Sequence, residues 1–148
     1  MSMALIPGID SSGSALDAER LRLNVIANNI ANAYTTRNAD GQVYRRQLVV
    51  FESVLAKQQE QEGQAGNATS SSPATVKVRE IIEDSRPLRD VYMPSHPDAN
   101  SEGMVQMPNV NMAEEMVDMI TASRAIEANV QVITTAKQMV QKILEIGR

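Results

Sequence analysis

Hydrophobic residues recur at heptad spacing through the last third of the chain, from Met112 to Ile146. Counting in sevens from Met112 gives one apolar series, and the positions four residues further along are mostly apolar as well. The first series is Met112, Met119, Ile126, Ile133 and Val140, and the second is Met116, Ser123, Val130, Lys137 and Leu144. The pattern predicts a helix about 50 Å long with a coiled-coil seam. Such a helix presents more apolar surface than one shorter partner can cover.

A second amphipathic helix is predicted near the start of the chain, over residues 14–33. Leu23, Ile26 and other apolar residues fall at heptad-compatible positions, and Ser14 with Asp17 resembles a capping arrangement. The helix carries four asparagines. Asn24, Asn28 and Asn32 repeat every four residues and so share one face, and Asn29 lies next to it. Because Asn is a mediocre helix former, two interpretations stay open, a solvent-facing polar surface or amide hydrogen bonds to neighbouring helices.

The pattern between the two helices predicts short strands. Residues 43–51 and 76–83 are rich in β-branched and aromatic side chains, and we expect them to pair as a hairpin. Residues 57–75 contain no large apolar side chain and predict a flexible tip. Four prolines between residues 86 and 109 exclude a helix and predict an extended, polyproline-like segment, which we call the strap.

These elements predict a mainly α fold with a small β region, of the α+β class. Residues 1–36 and 110–148 are expected to form paired terminal helices in an elongated coiled coil, and 37–109 a small β-rich middle region with the hairpin. Asn111 lies where the long helix should begin, and Glu114 three residues later completes a capping box. The low aromatic content, with one Phe and three Tyr, favours helix interfaces over a large globular core.

Charge and composition exclude several classes of partner. The net charge is −4 and no long basic run is present, so a nucleic-acid surface is not expected. The densest cationic pair, Arg45 and Arg46, is interpreted as a solvated strand edge. No apolar run approaches the ~20 residues that a membrane span requires. Residues 3–9 lack a basic leader, so we expect no cleaved secretory signal.

The residue types that support catalysis or metal binding are few. Without cysteine there is no thiolate chemistry, and a single histidine, His96, excludes paired imidazole ligands. The seven glycines never take the spacing of a phosphate-binding loop. We therefore predict no enzyme activity, no cofactor, no metal and no small-molecule substrate. A small hydrolase stays open as an alternative, with acidic candidates but no nucleophile pattern: Glu83, Asp84, Asp90 and Asp98.

Three stretches of the chain resemble one known family. Residues 24–33 read NVIANNIANA, which looks like the signature of bacterial flagellar rod, hook and hook–filament junction proteins. Residues 92–100 read YMPSHPDAN and 107–111 read MPNVN, a combination similar to proximal rod proteins. The residues at 123–124, 127–130 and 136–137 fit the shared C-terminal pattern of these axial proteins.

The resemblance implies a structural subunit of the flagellar basal-body rod, the drive shaft that transmits torque across the periplasm and is required for motility. Its terminal helices would polymerise around the central export channel. The implied partners are copies of itself, other rod proteins, the basal-body base component beneath them and the flagellar type III export apparatus, which would export it without a cleaved signal peptide. The alternative is a secreted coiled-coil adaptor that uses the same helices to bind one partner.

The predicted subunit interface lies on both terminal helices. On the first helix it comprises Leu23, Ile26, Asn28, Asn29, Ile30 and Asn32, and on the second Met112, Met116, Met119, Ile126, Asn129, Val130, Ile133, Val140 and Leu144. The strap and its junction with the second helix supply a further predicted neighbour contact: Tyr92, Pro94, His96, Pro97, Asn109 and Asn111. We expect His96 to form a hydrogen bond there. Because helices with few partners barely offset their ordering entropy, the free subunit is predicted to be largely disordered outside residues 42–110.

Overall fold

The computed structural model describes residues 7–38, 41–55 and 74–146. Two long helices enclose four strands in the chain order, which confirms the α+β prediction. The elements are α1 (Pro7–Ala31), β1 (Gln47–Leu55), β2 (Ala74–Glu83), β3 (Arg89–Tyr92), β4 (Met104–Met107) and α2 (Met112–Ile146). The strands form two separate two-stranded antiparallel sheets, β1 with β2 and β3 with β4.

Helix α1 packs along α2 in the antiparallel direction. Asn29 near the end of α1 contacts Glu115 in the first turn of α2, and Arg22 contacts Asp118 one turn further along. Ala122 is completely buried, and small side chains of this kind let two helix backbones approach closely. Because α2 has 35 residues and α1 only 25, part of α2 extends without this partner.

The buried side of α2 follows the first predicted heptad series but not the second. All five members of the first series are half-buried. In the second series, Met116 and Leu144 are 53% and 68% exposed, so α1 does not cover them and they stay predicted contacts between subunits. The buried positions lie three residues after the first series instead of four: Glu115, Ala122 and Ala136. The sequence pattern favoured the larger apolar side chains, whereas close helix packing selects small residues and one paired carboxylate.

Helix α1 begins at Pro7, earlier than the predicted residue 14. Proline is suited to the first helical position because its fixed φ fits the helix and its missing N–H would have no partner there. Ser14 therefore lies inside the helix and does not cap it. Its hydroxyl donates to the Ser11 carbonyl at 2.9 Å and accepts from the Val76 backbone N–H at 3.1 Å. Ser14 thus attaches α1 to β2.

The predicted hairpin of β1 and β2 is confirmed. Its register runs from Gln47 opposite Glu83 to Leu55 opposite Ala74, with an irregularity between Val50 and Phe51. Strand β1 begins at Gln47, four residues later than predicted. Arg46, just before it, donates its N–H to the Asn109 side chain and accepts at its carbonyl from the Asp84 N–H, directly after β2. Residues 56–73, most of the predicted tip, lie outside the described residues.

The strap differs from the prediction, since residues 86–109 fold back as the hairpin of β3 and β4. The register runs from Arg89 opposite Met107 to Tyr92 opposite Met104. Prolines do not prevent this pairing because they lie before, between and after the two strands. Gly103 has a φ of 76°, and an added Cβ would come within 2.9 Å of the Tyr92 ring, so glycine is needed at this turn.

The apolar core is small and asymmetric. Val25 and Ile26 of α1 are buried, as are Val105 of β4 and Val110 just before α2. These residues belong to the C-terminal half of α1, to β4 and to the connection between β4 and α2. The opposite end of α2, residues 141–146, is exposed throughout. Most of the buried side chains therefore lie at one end of the helix pair, although Ser12 and Ala136 are buried toward the other.

Candidate assembly surfaces and the buried polar joint

A buried ion pair between Glu115 of α2 and Arg46, just before β1, forms the centre of a polar cluster. The Glu115 carboxylate is completely buried and accepts hydrogen bonds from the Arg46 Nε and, at 3.0 Å, from the Asn29 amide. Arg46, whose side chain is 11% exposed, also contacts Asp118 at 3.0 Å and Asp84 at 3.6 Å. We call this cluster the polar joint; its members are Asn29, Arg46, Asp84, Asn109, Glu115 and Asp118.

Asn29 uses its whole amide group within the joint. Its Nδ2 donates to the Gln47 carbonyl at 2.9 Å as well as to Glu115. Its Oδ1 accepts from the Tyr44 hydroxyl at 2.8 Å and from the Gln47 N–H at 2.9 Å. Of the two interpretations of the asparagines, amide bonding to a neighbouring helix therefore holds for Asn29, whereas Asn28 next to it is exposed.

Asn109 connects the strands to the start of α2. Its Oδ1 accepts from the Arg46 N–H at 2.8 Å, and its Nδ2 donates to the carbonyls of Asp84 and Arg86 at 3.2 and 3.0 Å. The Asp84 N–H donates in turn to the Arg46 carbonyl at 2.8 Å. The joint thus ties together α1, the segment before β1, the end of β2 and the start of α2.

The pKa values of three groups in or beside the joint are shifted away from neutral pH. The backbone N–H of Arg86 lowers the pKa of Asp84 most strongly; burial opposes this, and the Arg86 side chain adds to it. Burial alone would lower the pKa of Arg46, but the hydrogen bond to Glu115 and the surrounding carboxylates outweigh it and raise the value. Burial, followed by the charges of Glu115 and Glu83, raises the pKa of Tyr44. None of these shifts produces a group poised for proton transfer near pH 7.

The predicted interface residues of α1 divide between the interior and the surface of the subunit. Ile26 and Asn29 are buried inside the chain, which leaves them no area for a neighbour in this conformation. The other predicted residues of α1 retain exposed surface: Asn28 is exposed, and Leu23, Ile30 and Asn32 are half-buried. The surface of α1 that a neighbour could contact is therefore formed by these residues and not by Ile26 or Asn29.

The predicted residues of α2 are brought to two different faces. The face toward the buried side holds half-buried residues: Met112, Met119, Ile126, Asn129, Ile133 and Val140. Met116, Val130 and Leu144 are exposed. Further exposed apolar residues, which the heptad pattern did not select, accompany them: Val117, Ile120, Val132, Met139, Ile143 and Ile146. The described parts of the chain therefore leave much of the apolar surface of α2 uncovered.

The predicted contact residues of the strap also separate. Tyr92 is 67% exposed, and Pro94 and Pro97 are exposed, so they are available to a neighbour. Asn109 belongs to the joint. His96 is half-buried, and its Nδ1 accepts from the Asp98 N–H at 3.1 Å within the same turn. The hydrogen bond that we observe for His96 is therefore internal.

Asn111 caps α2 as predicted. Its Oδ1 accepts from the Ala113 N–H at 3.1 Å, the contact that defines an N-cap. Glu114 bonds to the Asn111 side-chain amide at 3.2 Å, so the reciprocal half of the capping box runs between side chains. This cap fixes the first turn of α2, which also carries Glu115.

Sequence reasoning missed the joint, and the assignment of Arg46 to a solvated strand edge is wrong. The sequence carried one usable signal, an acidic residue at 115 on the apolar side of α2, three residues after Met112. Its partners come from distant positions, since 69 residues separate Arg46 from Glu115 and 86 separate Asn29 from Glu115. No local pattern connects them.

The acidic candidates for a hydrolase do not converge. Asp90 and Asp98 line one open hollow of about 570 Å³ and Glu83 lines another, while Asp84 belongs to the joint. Asp98 accepts from the Thr36 hydroxyl at 2.7 Å and from Arg37 at 3.1 Å, which ties it to the segment after α1. Among the described residues no group of three or more His, Asp or Glu side chains could hold a metal ion. Neither described helix is long and apolar enough to cross a membrane.

Comparison with known proteins matches both terminal regions of the chain. Residues 9–37 match the model of flagella basal body rod proteins, and residues 101–146 match the C-terminal model of the flagellar basal body rod FlgEFG proteins. These segments contain most of α1 and all of β4 and α2. The two matches therefore include the helices that carry the uncovered apolar surface.

Curated relatives match over nearly the full length. The flagellar basal-body rod protein FlgC of Escherichia coli is 42% identical over 146 residues, which cover 99% of this chain and all of the relative. The FlgC proteins of Bacillus subtilis and Borreliella burgdorferi are 41% and 42% identical, covering 99% and 97% of this chain and 100% and 98% of their own lengths. The chain therefore belongs to the FlgC family of flagellar basal-body rod proteins.

Proposed function

We propose that this protein is a structural subunit of the bacterial flagellar basal-body rod and that it polymerises through its terminal helices. The observation that carries the proposal is the apolar surface of α2, which α1 leaves exposed from Met116 to Ile146. Monomeric proteins rarely leave large contiguous apolar surface in water, so this surface calls for neighbours. The names of the curated relatives, all rod proteins, support the same reading.

The neighbours are other copies of the subunit, other rod proteins and the basal-body component beneath them. Met116, Ile120, Met139 and Ile143 lie on α2 at least 52% exposed, so they have surface to lose in an assembly. Burying a side chain of this size contributes about 1.5 to 3 kcal/mol. An interface whose two sides use different faces of α2 is heterologous and leads to an open helical polymer.

The polar joint suits a subunit of a drive shaft. Torque has to pass between the helix pair and the β region without the two turning against each other. Arg46 contacts Asp84, just after β2, and two carboxylates of α2, while Asn29 bonds to Glu115 of α2 and to Gln47 at the start of β1. Buried, directional contacts of this kind hold one relative orientation. We therefore assign the joint a mechanical role and no catalytic one.

The protein works without enzymatic chemistry, a cofactor or a small-molecule substrate. The shifted pKa values of Asp84, Tyr44 and Arg46 move away from pH 7, which supports this reading. The subunit would act within the periplasmic rod, after export by the flagellar type III apparatus without a cleaved signal peptide. A chain without cysteine can pass into an oxidising compartment without mispaired disulfides.

The test uses Leu144→Asp, because Leu144 is exposed and its change leaves the subunit interior intact. In a strain that lacks its own copy, we expect the variant to abolish motility and the purified protein to stay monomeric as its concentration rises. The matched control is Gln141→Asp, an exposed polar residue one turn earlier on the same helix. Both variants introduce one negative charge near the C-terminal end of α2, so they differ in whether an apolar side chain is lost.

Two results would contradict the proposal. Full motility of the Leu144→Asp strain would show that this surface is not needed for assembly. A wild-type protein that forms a fixed dimer or tetramer at every concentration would favour the alternative of an adaptor that binds one partner. Sedimentation velocity over a concentration series separates an open polymer from such a closed oligomer.

A further inference from the structure

A single carboxylate, that of Asp98, joins the loop between β3 and β4 to the segment after α1. We call residues 93–103 of this loop the strap turn. Asp98 Oδ2 accepts from the Thr36 hydroxyl at 2.7 Å, and Asp98 Oδ1 lies 3.1 Å from Arg37 Nε. Among the described residues, no other side-chain hydrogen bond or ion pair connects the strap turn with residues 32–38. The polar attachment of the strap turn to the end of α1 therefore depends on Asp98.

His96 holds the backbone of the same residue. Its Nδ1 accepts from the Asp98 N–H at 3.1 Å. An imidazole nitrogen accepts a hydrogen bond only while it carries no proton, so this contact requires a neutral ring with its proton on Nε2. The same Nδ1 lies 3.9 Å from Asp98 Oδ2, the oxygen that Thr36 uses. One ring nitrogen thus faces two groups of Asp98, and its protonation decides which of them it can bind.

The rest of the strap turn is held by bonds that do not depend on the charge of the ring. The backbone N–H and carbonyl of His96 are both bonded within the turn at 3.0 Å. Asn100 Oδ1 accepts from the N–H groups of Glu102 and Met104, both at 2.9 Å. None of these bonds uses an atom that gains or loses a proton. A charge on the imidazole therefore acts through the side chains of His96 and Asp98, on a turn that is otherwise fixed.

The imidazole is accessible to solvent protons, since the His96 side chain is 30% exposed. The charged groups next to it are the Asp98 carboxylate and, bound to that carboxylate, the Arg37 guanidinium from the segment after α1. Two further carboxylates, those of Asp90 and Glu102, line the hollow to which Asp98 and Arg37 also belong. Histidine is the side-chain type whose charge normally changes between about pH 5 and 8, and this chain has one. Apart from the chain terminus, a pH response in this range therefore has one candidate source.

We propose that His96 and Asp98 form an acid-sensitive latch between the strap turn and the end of α1. At neutral pH the unprotonated Nδ1 holds the Asp98 N–H and leaves the carboxylate to Thr36 and Arg37. When Nδ1 takes up a proton from water, it loses the Asp98 N–H as a partner and becomes a donor to Asp98 Oδ2. The imidazolium then competes with Thr36 for that oxygen, and the strap turn loosens from the end of α1.

The latch bears on the surface that the strap presents to a neighbour. Tyr92, just before the strap turn, and Pro94 and Pro97 within it are exposed. Release of Asp98 from Thr36 lets these side chains move relative to the helix pair. The latch is a property of the isolated chain and does not depend on the proposed function. Only its effect on contacts between subunits does.

The test is hydrogen exchange of the free subunit, followed by mass spectrometry at concentrations where sedimentation shows a monomer. Protection factors, which correct for the intrinsic dependence of exchange on pH, are compared at about pH 7.5 and about pH 5.5. We expect peptides from 93–103 and 32–38 to lose protection about tenfold at the lower pH, and peptides from 112–122 to keep theirs. Equal protection of 93–103 at both pH values would overturn the proposal.

His96→Asn separates the protonation from the contact itself. The asparagine Oδ1 can replace Nδ1 as the acceptor for the Asp98 N–H, but it cannot gain a proton in this pH range. We expect peptides from 93–103 to keep the same protection at both pH values. A pH response that persists in this variant would show that another group causes it and would overturn the proposal. The control Asp90→Asn removes a carboxylate of the same hollow and should keep the response of the wild-type protein.

Asp98→Ala asks whether the carboxylate transmits the change to the end of α1. The variant lacks the partner of Thr36 and Arg37 but keeps the backbone N–H that Nδ1 accepts. We expect low protection of 32–38 at both pH values and a pH response confined to 93–103. If 32–38 still responded to pH in this variant, the latch through Asp98 would be refuted.

The NMR signal of the single histidine gives a second measurement on the unmodified chain, for the case that a variant does not fold. The shift of the ring proton signal across the same pH range reports the protonation of His96 directly. The loss of protection in 93–103 and 32–38 should follow this titration with the same midpoint. Midpoints that differ by more than about half a pH unit would overturn the proposal. Failure of the Leu144→Asp test would affect the proposed polymer but leave these results valid.

Discussion

The two ends of the helix pair differ in what covers them. The joint end comprises residues 22–31 of α1 with 112–122 of α2, and the far end 7–15 of α1 with 129–146 of α2. At the joint end, Glu115 is completely buried and bonded to side chains from α1 and from the segment before β1. At the far end, Ile143 and Leu144 are more than half exposed. Polar groups at the joint end bond to one another within the chain, whereas at the far end the described residues leave apolar side chains exposed. Within the part of the chain that the structure describes, only the joint end has polar side chains that are both buried and bonded to one another.

The two ends also differ in the kind of interaction they use. Hydrogen bonds and ion pairs are directional, so the joint fixes one geometry between the helices and the β region. Apolar contact is non-directional and scales with area, so the far end can meet neighbours that are not identical. Flexible methionines such as Met139 and Met116 add to this adaptability. If the subunit assembles as proposed, a rod built from several proteins would use fixed geometry inside each subunit and adaptable contact between subunits.

The largest expected effect is that of Glu115→Ala at the joint. It leaves the Arg46 guanidinium and the Asn29 amide without their buried partner, and breaking a buried ion pair in this way costs roughly 3 to 5 kcal/mol. Urea unfolding of the free subunit measures the change. The control Glu127→Ala, at an exposed position of the same helix, should stay within about 0.5 kcal/mol. A loss below about 1 kcal/mol in Glu115→Ala would show that the joint does not hold the fold.

The next effect is expected for Asn29→Ala. The substitution removes an amide that makes four hydrogen bonds and leaves buried donors and acceptors without partners, at about 2 kcal/mol in total. The matched control is Asn28→Ala, the adjacent and exposed asparagine of the same helix. Similar unfolding midpoints for the two variants would remove the distinction between the joint and the solvent-facing asparagines.

The sequence predicted the elements of this fold better than their connections. The periodicity of 112–146 and the strand-like 76–83 depend on local pattern, and both elements were found. The hairpin of β3 and β4 was missed because the prolines of 86–109 exclude a helix but do not indicate that the extended residues between them pair. The joint was missed because a charged residue at position 46 is read locally as exposed. Only the folded chain brings its partner carboxylates to it, Asp84 from the segment after β2 and Glu115 from α2.

A smaller effect is expected on acidification, through Asp84. Hydrogen bonds from Arg86 lower the pKa of Asp84 in the folded chain, so this carboxylate contributes stability above its unfolded pKa of about 3.9. That contribution is lost as the pH falls below about 4 and through the folded pKa. Urea midpoints from pH 6 to pH 3 should fall less steeply for Asp84→Asn than for Asp17→Asn, whose carboxyl is exposed. Parallel pH profiles would show that Asp84 adds no acid sensitivity.

The smallest effect on the free subunit is expected at the far end, for Leu144→Ala. Leu144 is 68% exposed, so the free energy of unfolding should change by no more than about 0.5 kcal/mol. The same variant should need a higher protein concentration to polymerise, because each assembled copy buries less apolar surface. Gln141→Ala should alter neither quantity. A loss of about 2 kcal/mol or more in the free Leu144→Ala subunit would mean that the far end is already packed before assembly, and the two ends would then not differ in the way the structure indicates.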